Sequence, residues 1–101
     1  MTNYKLDDAK KEELVEMLRD SLRLPGDIDA KLLNMYVLSS VQYVLNSIND
    51  EQIFDAVVAS DLFNFVVVDY ATLLYSNRGG VNVPITDNIK SALLQLNSYG
   101  Y

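Results

Sequence analysis

Leu32 to Asn49 reads LLNMYVLSSVQYVLNSIN, eighteen residues without a charge. Leu33, Val37, Val41, Val44 and Ile48 recur at the three- and four-residue spacing of a helical stripe, and Ile28, Leu32, Tyr36 and Tyr43 form a second one. A helix apolar on more than one face must be covered on more than one side. Asn34, Ser39, Ser40, Gln42, Asn46 and Ser47 interrupt it, whereas a membrane span wants about 20 predominantly apolar residues. Burial by protein is therefore expected, with no membrane involved. This helix is placed at 27–48.

Working outward, Leu24-Pro25-Gly26-Asp27 stops the preceding element, because Pro25 disfavours helical geometry at Leu24 and Gly26 turns; Asp27 is the expected cap of the uncharged helix. Before it, Leu14, Met17, Leu18 and Leu22 make the stripe of a first helix over 7–22, capped by Asp7 or Asp8 and covered elsewhere by charges of both signs. Met17 and Met35 are expected to fill the core.

Downstream, Asn49 as a cap with Gln52 three residues on opens a third helix. It is expected to run unbroken over 50–76, roughly 40 Å by helical rise. Phe54, Val58, Leu62, Phe65, Val66 and Leu73 are its expected core side. The run Phe65-Val66-Val67-Val68 could be a buried strand by itself, but no turn residue separates it from its helical surroundings. Gly79 or Gly80 suits the left-handed cap that ends this helix, with Arg78 near the negative helix end. Val81 to Pro84 is an extended connector, and Thr86 caps a short helix over 86–96 with Ile89, Leu93 and Leu96 inward. Residues 97–101 are a tail. The fold class is all-α: a single domain over 1–101 of about four helices, one of them long.

A domain of 101 residues buries about 60–65 % of the surface that its unfolded chain exposes. Half of these residues are hydrophobic without counting Gly, a surplus that suggests a partner surface. The absence of Cys and His excludes disulfides, thiolate chemistry, zinc-finger sites and histidine triads. A net charge of −6, with Lys31, Arg78 and Lys90 scattered beyond Arg23, opposes tight duplex binding. Met1 to Lys11 is too polar and acidic for a signal peptide.

Little remains that could do chemistry. Arg78-Gly79-Gly80 follows a helix, whereas a phosphate loop precedes one. Asp61 and Asp69 could be buried carboxylates, but they stand about 80° apart around a helix and form no tight dyad. Seven tyrosines and three phenylalanines lack the basic groove that single-stranded nucleic acid would need. They are expected in core and interface packing, and no enzyme activity, cofactor or metal site is expected.

The order of these pieces resembles the head–tail connector (head completion, DNA-packaging adaptor) proteins of tailed phages. Over about residues 14–96 the resemblance rests on Leu22-Arg23-Leu24-Pro25-Gly26-Asp27-Ile28-Asp29 entering a helix with Leu32-Leu33. It continues in Tyr75-Ser76-Asn77-Arg78-Gly79 closing the long helix, and in Pro84 leading to Ile89, Leu93, Leu94 and Leu96. Ser39-Ser40 stands where a small residue is usual, and the C-terminus lacks a basic residue. The resemblance implies a ring of about a dozen subunits below the portal protein, in the virion neck after assembly in the host cytoplasm. Such a ring extends the DNA channel, with DNA only as transiting cargo, and docks the next neck or tail protein. Tyr36, Gln42, Tyr43, Tyr75, Asn77, Arg78 and Gly79 are then expected at interfaces. Asp50, Glu51 and Asp55 either serve the dipole of a first turn or face the channel. The rival expectation is a small acidic regulatory module, inhibitor-like, acting on a basic partner.

Overall fold

The computed structural model describes residues 5–26, 28–77 and 85–99. Within them the chain is all helical: α1 Asp8–Leu22, α2 Ala30–Asn46, a 3₁₀ turn Glu51–Ile53, α3 Phe54–Val58, α4 Asp61–Ser76 and α5 Asp87–Leu96. Helices α1, α2 and α4 pack against one another pairwise, and α5 and α3 each lie on α4. No single helix among the described residues is long and apolar enough to cross a membrane.

Asp7 caps α1 by accepting the Ala9 N–H at 3.2 Å. The helix ends through a paired motif in which Leu24 N–H donates to the Arg19 carbonyl and Arg23 N–H to that of Asp20. This places Arg23 in the left-handed region, φ 58°, a conformation that glycine usually supplies at a helix end. The Arg19 side chain, only 8 % exposed, donates from Nη1 to the Ile28 carbonyl at 2.9 Å. A charged donor buried at that position ties the connection to α1.

The second helix begins at Ala30 rather than at 27. Ile28 N–H closes a turn on the Pro25 carbonyl, and Asp29 is left-handed at φ 55°, so neither residue can be helical. The expected Asp27 cap lies outside the described residues. The stripe Leu33, Val37, Val41, Val44 and Ile48 is buried as expected. Of the other stripe, Ile28 is exposed while Leu32, Tyr36 and Tyr43 are half-buried. Ser40 is fully buried, and its hydroxyl is satisfied by donating to the Tyr36 carbonyl one turn back.

The long third helix does not exist as one rod. It breaks at Ala59–Ser60, and the two parts meet at 88°. Ser60 is extended (φ −86°, ψ 150°); its Oγ accepts the Phe63 N–H at 3.1 Å and donates to the Val57 carbonyl at 2.7 Å. One hydroxyl thus closes α3 and caps α4, and Asp61 comes next, where a carboxylate meets the positive helix end. The break resets the helical phase. Phe63 becomes fully buried and Phe65, expected in the core, is 58 % exposed. The turn before α3 is also capped differently: Asp50, not Asn49, accepts the Gln52 N–H.

Thr86 caps α5 through the Ile89 N–H, with Ile89 and Leu96 buried and Leu93 half-buried. Beyond it the chain is no loose tail at Asn97. Its Oδ1 accepts the Asn49 N–H, and its Nδ2 donates to the Ser47 and Leu93 carbonyls, all within 3.0 Å. A single amide therefore locks the end of α5 to the end of α2. Met17 and Met35, expected inside, are 36 % and 53 % exposed, because each lies off the buried stripe of its helix.

Candidate interaction surfaces

The seam between α2 and α4 carries an antiparallel pair of aromatic contacts. Tyr43 stacks on Tyr70 with centroids 4.3 Å apart, and Tyr36 meets Tyr75 edge to face at 6.4 Å. The Tyr75 hydroxyl donates to Asp29 Oδ2 at 2.7 Å, holding the C-terminal part of α4 to the entry of α2. Burial, and secondarily the nearby Tyr43, raise the Tyr70 phenol above its usual range. Tyr36, Tyr43 and Tyr75 are half-buried and already engage partners within the chain. Only their outer edges remain for a neighbour.

Gln42 is different. It sits half-buried on the outer side of α2, in line with Lys31, Met35 and Leu38. Met35 and Leu38 are 53 % and 44 % exposed, and Lys31 is the single charge of the helix. Asn77 closes α4, its Nδ2 donating to the Leu73 carbonyl at 2.8 Å. Arg78, Gly79 and Gly80 lie outside the described residues, as does the connector over 81–84.

Asp50, Glu51 and Asp55 gather at the turn before α3 and in its first turn. Asp50 is half-buried and serves as a cap, whereas Glu51 and Asp55 are exposed.

Sequence reasoning missed a groove of about 510 Å³ between α1 and α4. Met17, Phe65 and Val68 line it with apolar side chains, and Asp20, Ser21, Asp69 and Thr72 with polar ones. Asp69 therefore shares a surface with Asp20 and not with Asp61, which is exposed at the start of α4. The signal lay in the i, i+3, i+4, i+7 series of Phe65, Val68, Asp69 and Thr72, hidden by placing Phe65 in the core. Nearby, Asn64 is buried between α4 and α1. Its Nδ2 reaches Glu13 Oε1 at 3.4 Å, and its Oδ1 has no hydrogen-bond partner. Among the described residues no three carboxylates come close enough to hold a metal ion.

No protein-family model matches this chain, no curated protein matches it in sequence, and no solved structure matches it in fold.

Proposed function

We propose that this chain is a structural adaptor: a subunit that assembles into a ring beneath a phage portal, extends the DNA channel and docks the next neck or tail protein. The observation that carries the reading is the combination of two apolar surfaces on one small domain. One is the outer face of α2, with Met35 and Leu38; the other is the groove holding Met17 and Phe65. Assembly would cover both, taking their exposed apolar side chains out of water. The sequence resemblance to head–tail connector proteins supplies the identity of the assembly. The chain acts there without catalysis, cofactor or metal, with DNA only as transiting cargo, in the virion neck after assembly in the host cytoplasm. Its net charge of −6 suits a wall along which a duplex slides without sticking.

A second reading is favoured by the two carboxylates that line the groove: a small inhibitor-like module that takes a basic partner on Asp20 and Asp69. Negative-stain imaging of the purified protein, with and without a portal protein, separates the two. Rings of repeated subunits, free or seated on the portal, support the adaptor. A protein that stays monomeric and ignores the portal overturns it.

A further inference from the structure

We infer that the outer face of α2 on one copy docks into the α1/α4 groove of the next, so that copies join head to tail. The inference rests on the adaptor reading and gives that assembly its contact. The face carries Lys31, Met35, Leu38 and Gln42 at successive intervals of four, three and four residues, a straight outward stripe. It offers two exposed apolar side chains and one positive charge. The groove offers the complement: Met17, Phe65 and Val68 for the apolar side chains, and Asp20 and Asp69 for the ammonium group. No other charge on α2 competes, since Lys31 is the helix's single one.

The geometry of the bundle makes the contact heterologous. Helices α1, α2 and α4 pack pairwise, so a groove built by α1 and α4 opens away from α2. The outward stripe of α2 faces the opposite way. Two different patches on opposite sides cannot satisfy each other in a closed two-fold dimer. They propagate, into a ring if the rotation closes and a filament if it does not.

The test uses two blocked variants of the full chain, Leu38→Asp and Phe65→Asp. Both positions are solvent-exposed, and thermal melts are to check first that each variant folds. Sedimentation should show the wild type assembling with concentration and each variant alone as a monomer. Their equimolar mixture should form a heterodimer and stop there, because one intact stripe meets one intact groove. Lys31→Glu should weaken wild-type assembly at least tenfold, and adding Asp69→Lys to the same chain should restore part of it. If the wild type assembles and either variant assembles equally well, the pairing of these faces is wrong while the adaptor reading stands. The pairing is also overturned if wild type and mixture both stay monomeric at millimolar concentration. In that case the groove is left to a foreign basic helix, and imaging with the portal decides the adaptor reading separately.

Discussion

Tyr43 lies on Tyr70 with ring planes 18° from parallel and centroids 4.3 Å apart, joining the last turn of α2 to the middle of α4. Stacked aromatic pairs contribute roughly 0.5–1.5 kcal/mol beyond the area they bury. The contact also constrains how the protein responds to alkali.

The Tyr70 phenol has its pKa raised in the folded state, by burial first and by Tyr43 second. The folded protein therefore holds this proton more tightly than the unfolded chain does. The contribution is fully present below about pH 10, the ordinary tyrosine value, and is lost as pH rises through the higher folded value. Tyr70→Phe should make the alkaline fall in melting temperature shallower, which thermal melts between pH 8 and pH 11 will measure. An unchanged alkaline limb would show that Tyr70 does not contribute to it.

Ser60 both caps α4 and closes α3. Ser60→Ala removes both bonds and should cost about 0.5–2 kcal/mol in chemical denaturation, with Ser60→Thr losing less. Stability equal to wild type would mean that packing alone holds the bend.

Asn97 makes three hydrogen bonds that link α5 to the end of α2. Asn97→Ala removes these bonds, the one to the Ser47 carbonyl at a partly buried site, while the Leu93 carbonyl keeps the Asn97 backbone N–H; it should cost about 0.5–1.5 kcal/mol. Amide exchange at Asn49 should speed up; protection equal to wild type would refute the role of this link.

Gln42 ends the outward stripe of α2 and is not part of the chain's own core. Gln42→Glu should leave the melting temperature within a degree or two, as surface substitutions do at about ±0.5 kcal/mol. It should also weaken assembly, because the contact would bury a new charge without a partner. Ring formation at wild-type concentrations would remove Gln42 from the contact.

The acidic turn can be tested by Asp50→Asn, Glu51→Gln and Asp55→Asn together. Asn keeps the capping ability of position 50, so the fold should survive. Screening limits a charge's reach to about 8 Å at physiological ionic strength, so these residues matter to DNA only if they line the channel wall. Slower DNA packaging or ejection by intact particles is the expected result. Normal passage would leave them only their local helical role.

Much of this molecule comes from local rules that sequence alone contains. The stripe Leu33 to Ile48, the caps Asp7 and Thr86 and the end of α1 at Leu22 are all short-range facts of helical spacing and hydrogen bonding. They decide that the chain is all-α and roughly where its first, second and last helices lie. The sequence also determined the surplus of apolar residues and the charge-free α2, and with them the expectation of a partner.

Tertiary structure decided the rest. At Ser60 an unbroken helix and a capped break are both locally possible, and the winner buries Phe54, Val57 and Phe63 together across an 88° bend. That choice rotated Phe65 out of the core and, with Met17, built the groove. Asn97 likewise reads as a tail until Ser47 and Asn49, some fifty residues away, come within reach of its amide. The physical reason is common to all three: helical periodicity describes which residues share a face only while the helix continues. Contacts between distant segments decide where it stops.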